Sequence, residues 1–364
     1  MTRIMVTGGG SGGHVTPALA VAEYLRERGY EVVFVGSTSG LEQALVAPRG
    51  FRYLGISAGK LRRYFSWANL VDLFRVMLGI IQSLWIVRRE RPAVVFSKGG
   101  FVAFPVVFAS WVWRVPVVAH ESDATQGLAN RLSAPFVKTL CTGFPDTTPG
   151  RFKGRFVYTG APIRVELARG DAAAGRALVG AGAEQKILLV TGGSLGADAL
   201  NACVVAALDE LASHDWFVVH VCGPGKQRAE TDSFSSNYRA YDFVDEGWAD
   251  MLAAADVVVS RAGANTVFEL LTLAKPNVLI PLPATGSRGD QIDNADYAKR
   301  GGYARVVPQD ELDTGRLVAQ INALWADIDS ARARLAVFQA PDAVTAIADE
   351  LFRFTKAPLQ IESE

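Results

Sequence analysis

Val6-Thr7-Gly8-Gly9-Gly10-Ser11-Gly12-Gly13 follows a short apolar run near the amino terminus, and Val190-Thr191-Gly192-Gly193-Ser194-Leu195-Gly196 repeats the pattern 184 residues later. An apolar strand that breaks into glycines and then into a helix is the opening of a nucleotide-type βα unit. A loop without Cβ atoms lets a phosphate or a sugar approach backbone N–H groups at a helix start. The offset is close to half of the 364 residues, so two Rossmann-like halves, each opened by a strand and a glycine loop, account for it. Arg3 to Thr7, Glu31 to Val35, Ala93 to Ser97, Val115 to His120 and Phe156 to Thr159 read as strands of the first half. Lys186 to Thr191, Trp216 to Cys222, Val257 to Ser260 and Asn277 to Pro281 read as strands of the second. These runs do not alternate with polar residues, as expected of parallel strands buried on both faces. Pro17 to Arg28, Asp198 to Ser213, Asn265 to Leu273 and Gln291 to Arg300 read as the intervening helices. The fold class is therefore α/β, two doubly wound domains facing a cleft. The expected domains are residues 1–162 and 163–340, with 341–364 a closing helix (about Pro341 to Phe354) that crosses back to the first. Ligands of such sheets bind at the carboxyl ends of the strands.

Composition narrows the function. Lys+Arg and Asp+Glu are both 37, and a balanced charge argues against nucleic acid as the main partner. A hydrophobic share of 49% rules out a disordered chain. Cys141, Cys203 and Cys222 form no CxxC pair, which suits a reducing compartment. The opening residues leave no room for a secretory signal, so the expected location is cytoplasmic. The uncharged run Val76 to Val87 is 12 residues, short of the ~20 that a membrane span needs. Trp67, Leu70, Val71, Phe74, Leu78, Ile81 and Trp85 fall on one helical stripe, flanked by Lys60, Arg62, Arg63, Arg88, Arg89 and Arg91. The stripe reads either as the core-facing side of a crossover helix or as a basic, aromatic-rimmed surface for anionic lipid.

Gly8, Gly10 and Gly13 satisfy GxGxxG, but the acid that should end the second strand is missing, since that end reads Val35-Gly36-Ser37-Thr38. No Gly-Lys-Ser/Thr follows, so a P-loop is excluded as well. What remains suits a diphosphate or the polar face of a sugar. His14, at the helix start, can orient a substrate, take a proton or simply bind the loop backbone. Ser194 and the adjoining N–H groups can hold a phosphate. Ser97-Lys98-Gly99-Gly100 and Ser260-Arg261-Ala262-Gly263 again place glycine after a strand, each with a cation. Glu269 lies in the helix whose first turn holds Ala264, Asn265 and Thr266; a buried carboxylate there can accept two ribose hydroxyls. Asp290-Gln291 and Asn294 can add polar groups to the same cleft. No HxxxH or HExxH is present, and Asp327-Ile328-Asp329 reads as a solvated helix face, so neither metal nor cofactor is expected.

Together Gly8 to Pro17, Ser97 to Phe101, His120-Glu121-Ser122-Asp123, Gly192 to Ala197, Ser260 to Gly263 with Glu269, and Asp290-Gln291 with Asn294 resemble the MurG family over nearly the whole chain. The resemblance implies an inverting glycosyltransferase of the type B fold. It would move N-acetylglucosamine from UDP-N-acetylglucosamine to a lipid-linked muramoyl-pentapeptide at the cytoplasmic face of the plasma membrane, as a peripheral protein on an anionic surface. It implies that Glu269 takes the ribose, Ser194 and Arg164 the diphosphate, Val244 the uracil and Gln291 the sugar. Ser11, Gly12, Gly13 and His14 would face the acceptor diphosphate and the transferred sugar, with Glu121 and Asp123 across the cleft. His14 or Glu121 would be the base. Many members carry Gln-Asn where this chain has Ser122-Asp123. A nicotinamide oxidoreductase, a UDP-N-acetylglucosamine 2-epimerase-like enzyme, another type B UDP-sugar transferase and a nucleotide-binding scaffold are the alternatives.

Overall fold

The computed structural model describes residues 1–10, 12–59, 67–148, 150, 152–227, 236–285 and 289–355, with backbone alone at 12, 41, 67–71 and 165. Ser11, Lys60, Arg62 and Arg63, and the side chains of Trp67, Leu70 and Val71, thus lie outside the description. The chain divides into two compact units, Met1–Pro162 with Pro341–Glu364, and Ile163–Ala340.

The first unit runs β1 (Arg3–Thr7), α1 (Gly12–Glu27), β2 (Glu31–Ser37), α2 (Leu41–Val46), β3 (Arg52–Ile56), α3 (Trp67–Glu90), β4 (Val94–Ser97), α4 (Ala103–Val112), β5 (Val117–Glu121), α5 (Leu128–Ser133), β6 (Thr139–Thr142) and β7 (Arg155–Tyr158). Its seven strands are all parallel, in the order β3-β2-β1-β4-β5-β6-β7. Side chains alternate across the sheet. Ile4 and Val6 pack with Val15, Leu19 and Leu25 of α1 on one face, while Met5 packs with Val95, Ile86 and Val106 on the other. Helix α1 starts at Gly12, inside the glycine loop and earlier than the expected Pro17, which sits within the helix at the cost of one backbone bond.

Of the two readings of the α3 stripe, the core-facing one is not met at its described side chains. The buried positions of α3 are Asp72, Val76, Gly79, Ser83, Ile86, Val87 and Glu90. Phe74, Ile81 and Trp85 are 60–70% exposed, and Leu78 is close to half exposed. Small and polar residues let the helix lie close to its neighbours: a Cβ on Gly79 would strike the Ser57 carbonyl. Glu90 is fixed at the inner end by Arg3 and Arg52, the latter through two bonds of 2.8 and 2.9 Å. Trp111 and Trp113, at the end of α4, are exposed beside the stripe, and Trp113 donates its indole N–H to Leu84 O at 2.9 Å. No helix of the described residues is long and apolar enough to cross a membrane.

The second unit runs α6 (Ala172–Val179), β8 (Lys186–Thr191), α7 (Asp198–Ala206), α8 (Leu208–Ser213), β9 (Trp216–Val221), β10 (Tyr238–Tyr241), α9 (Trp248–Ala254), β11 (Val257–Ser260), α10 (Ala264–Thr272), β12 (Asn277–Leu279), α11 (Asp290–Arg300), β13 (Arg305–Val306), α12 (Thr314–Ala326) and α13 (Ile328–Ala336). Six parallel strands are ordered β10-β9-β8-β11-β12-β13. The helix expected from Asp198 to Ser213 is broken at Ala207 into α7 and α8. The final helix, α14 (Ala343–Phe352), lies in the first unit. It starts two residues after Pro341, because Asp342 caps it by accepting the Thr345 N–H at 3.2 Å. Ile347, Ala348 and Leu351 enter the α1 side of the core, Phe352 stacks on Tyr30 at 5.2 Å, and Glu350 accepts from Arg155 at 2.9 Å.

Candidate active site

Both sheets reverse their strand order at one point, between β1 and β4 in the first unit and between β8 and β11 in the second. Ligands of open α/β sheets bind outside the carboxyl ends of the strands at that point. The four glycine loops read from the sequence follow these four strands.

In the first unit the two loops interlock. Gly9 donates its N–H to Gly99 O at 3.3 Å, and a Cβ on Gly100 (φ +84) would land on the Gly9 backbone. Gly10 holds φ +93, with the Phe101 ring on the side where a Cβ would project. Its N–H donates to Glu42 Oε1 at 2.6 Å. Gly12 and Gly13 form the start of α1, and His14 is half-buried in its first turn.

His120 is completely buried on β5, with Nε2 bonded to Gly160 O at 2.9 Å. Burial, then the Lys98 charge, hold its pKa well below the ordinary value, and His14 adds to the effect. Glu121 is almost fully buried, and its carboxylate is engaged from three sides. Oε1 accepts from Asp123 N–H at 3.2 Å, and Oε2 from Gly127 N–H at 2.8 Å and Asn130 Nδ2 at 2.9 Å. That arrangement fastens residues 121–130 and occupies the oxygens a general base would need. Asp123 is half-buried. Lys98 is buried, and its ammonium donates to Ser122 Oγ. Burial pushes its pKa down to about 8, against the opposing pull of Glu121 and Asp123. The Ser122-Asp123 variation thus acquires a partner that the sequence reading did not assign.

In the second unit the Gly192-to-Gly196 loop presents Ser194 and Leu195 as exposed residues, and Gly193 N–H donates to Thr191 Oγ1 at 3.2 Å. A Cβ on Gly196 (φ +68) would strike the Cys222 carbonyl. Beneath this contact lies a buried chain: Asn201 Nδ2 donates to Cys222 O at 2.8 Å, leaving Oδ1 to accept from His220 Nε2 at 3.1 Å. His220 Nδ1 then accepts from Tyr238 Oη at 3.0 Å. Burial lowers the His220 pKa to about 4, so the imidazole is neutral and Nδ1 is left as the acceptor.

The loop after β11 leads into α10 past Gly263, where open space surrounds a would-be Cβ. Ala264, Asn265 and Thr266 line the first turn, and Glu269 stands just beyond, mostly buried. Arg164 Nε lies 3.4 Å from Glu269 Oε1. Burial raises the Glu269 pKa, and the Arg164 charge opposes this. Arg261 is turned away from the loop, donating to Ile280 O at 3.1 Å and Gln309 Oε1 at 2.5 Å. Gln291 is oriented by Leu282 N–H, which donates to Oε1 at 2.9 Å. Asn294, expected to face a ligand, is instead fully buried and donates to Ala262 O at 3.1 Å, so it holds the loop from beneath. Val244 is partly buried against the α9 side of the core, beside the exposed Phe243.

Two glycosyltransferase models match the chain: the family 28 N-terminal domain over residues 4–142 and the family 28 C-terminal domain over residues 187–347. A UDP-N-acetylglucosamine–N-acetylmuramyl-(pentapeptide) pyrophosphoryl-undecaprenol N-acetylglucosamine transferase of Legionella pneumophila (strain Lens) is 45% identical over 353 residues, 95% of this chain and 96% of that one. A protein of the same name from Clostridium perfringens is 43% identical over 322 residues, 88% and 90% of the two chains. The crystal structure of Acinetobacter baumannii MurG aligns with a TM-score of 0.76 at 25% identity, covering 97% of this chain and all of that one. A two-domain glycosyltransferase is thereby defined. The chain belongs to the MurG family, the N-acetylglucosamine transferases of peptidoglycan synthesis.

The buried His220 gives a test of the support beneath the second loop. Its folded pKa of about 4 lies below the ordinary 6.5, so the neutral form is favoured by folding. Above pH 6.5 this stabilisation is complete. As the pH falls from 6.5 towards 4, the unfolded chain binds a proton that the fold refuses, and ~3 kcal/mol is lost. Urea unfolding should show this slope in the wild type and not in His220→Gln. A stability difference between the two that stays constant from pH 7 to 4 would contradict it.

Proposed function

We infer that the chain transfers N-acetylglucosamine from UDP-N-acetylglucosamine to the C4 hydroxyl of the muramoyl sugar in undecaprenyl-diphospho-muramoyl-pentapeptide. The observation carrying this is likeness at 43–45% identity along nearly the whole length of transferases of that name. The hydroxyl oxygen attacks C1 of the donor sugar, the bond from C1 to the UDP oxygen breaks, and the configuration inverts. The hydroxyl proton passes to a base, and UDP leaves with its negative charge.

The residue roles in this reading are as follows. Glu269 accepts the ribose hydroxyls, and its buried position keeps water from competing. Arg164, already beside Glu269, and the N–H groups around Ser194 stabilise the diphosphate, helped by the positive end of α7. Val244 meets the uracil through its backbone, Gln291 meets the sugar, and Ala264, Asn265 and Thr266 border the site. Gly12, Gly13 and His14 at the start of α1 serve the acceptor diphosphate, with Ser11 assigned there from the resemblance alone. Asp123 joins them from the turn that Glu121 fastens. His14 is the better base, since the Glu121 oxygens are engaged. Removing one diphosphate donor costs about 2.7–4 kcal/mol in the transition state.

Purified protein with UDP-N-acetylglucosamine and a lipid-linked muramoyl-pentapeptide analogue should yield the disaccharide product, and its absence refutes the reading. Glu269→Ala should weaken UDP binding by about 1.5–3 kcal/mol, roughly 10- to 150-fold by calorimetry; unchanged affinity removes that assignment.

The lipid-linked acceptor also accounts for the outward face of α3. We assign this face, with Phe74, Ile81, Trp85 and Trp111 exposed and Arg88 and Arg89 over the rings of Trp113 and Trp85, to peripheral contact with an anionic membrane surface on the cytoplasmic side. The protein should cosediment with vesicles containing phosphatidylglycerol, and Ile81→Gln with Trp85→Gln should lower the bound fraction at least severalfold. Equal sedimentation of wild type and double variant would contradict the assignment.

A further inference from the structure

Glu42 has no exposed surface and stands directly against the first glycine loop. It lies in the first turn of α2, five residues beyond Ser37 at the end of β2. Its Oε1 accepts the Gly10 N–H at 2.6 Å, and its Oε2 accepts the Ser37 hydroxyl at 3.0 Å. Tyr53 locks the strand end by donating its hydroxyl to Ser37 O at 2.6 Å. The Tyr53 pKa is raised, chiefly by burial and further by the Glu42 charge. On Gly9, the place of a Cβ is filled by the Glu42 carboxyl group. Gly10 is therefore held between a carboxylate on its N–H and the Phe101 ring.

In a dinucleotide-binding unit the acid near the end of the second strand faces outward to a ribose, and the loop N–H groups face a pyrophosphate. Here the strand end carries no acid, and the carboxylate of Glu42, in the next helix, is folded inward onto the loop. It is unavailable to a ribose, and it sets a negative charge against the Gly10 N–H. The matching loop of the second unit differs, because the residue 184 positions after Gly10 is Ser194, which is exposed.

We propose that Glu42 is a positioning residue that fixes the acceptor loop and sets its specificity. By holding the Gly10 N–H it turns a nucleotide away and directs the acceptor diphosphate to the N–H groups of Gly12, Gly13 and His14. This deepens, and rests on, the reading that the first loop serves the acceptor.

The test is steady-state kinetics with each substrate varied in turn. Glu42→Ala, which frees the Gly10 N–H, should raise the KM for the lipid-linked acceptor by about tenfold or more, with the KM for UDP-N-acetylglucosamine within about twofold of wild type. Glu42→Gln keeps an acceptor for the Gly10 N–H and should restore most of the acceptor KM. Gly9→Ala displaces the carboxylate, should reproduce the Glu42→Ala defect, and should add little to it in the double variant. These two variants carry the test if thermal melting shows that Glu42→Ala does not fold. Acceptor KM unchanged in all variants, or both KM values rising together, overturns the proposal. No transfer by the wild type would instead overturn the functional reading.

Discussion

Backbone N–H groups can serve a ligand only where no Cβ stands in the way and no internal acceptor has taken them. A parallel sheet meets this condition at the point where its strand order reverses, because two loops leave the sheet side by side there and helices begin beyond them. Both units are built around that constraint. Gly9 and Gly100 pass so closely that any side chain on Gly100 would strike backbone, and Gly196 abuts the Cys222 carbonyl in the same way. Replacing either glycine would force the strands' ends apart and move the helix starts that the proposed chemistry needs.

The two units resemble each other in plan and differ in what lies beneath the loops. Lys98 follows β4 and Arg261 follows β11, the equivalent strand, and each reads in the sequence as a cation beside a glycine loop. Each is buried and turned inward, Lys98 to Ser122 and Arg261 to Ile280 and Gln309. The support is charged under the first loop, where Glu42, Lys98 and Glu121 meet backbone and hydroxyl partners. Under the second loop it is neutral, made of Asn201, His220 and Tyr238. Burying charge is costly unless every partner is in place, so the first support is the more sensitive to substitution.

The doubly wound plan was legible because the central strands are continuous Val- and Ile-rich runs. Strands β3, β10 and β13 were not, since sheet edges are half-covered and tolerate Arg52, Gly55, Arg239 and Arg305 in so short a span. Strand β6 was hidden by Thr139 and Thr142, which are buried at a strand's ends. The stripe on α3 was legible as a stripe, but its direction was not. Apolar periodicity identifies a face without saying what covers it, and here the close-packed face is the one carrying Gly79, Ser83 and Glu90. In the candidate site, glycines and helix starts were readable from spacing. Glu42, the inward turn of Asn294 and the Lys98–Ser122 contact were not, because they depend on side chains brought together by the sheet rather than by sequence.

The central claim is that two similar loops divide the substrates, with the nucleotide belonging to the second unit. Hydrogen–deuterium exchange with UDP alone tests it most directly. The account predicts slowed exchange in residues 192–201 and 263–269, with residues 8–16 unchanged. Protection at residues 8–16, with 192–201 and 263–269 unaffected, would contradict it.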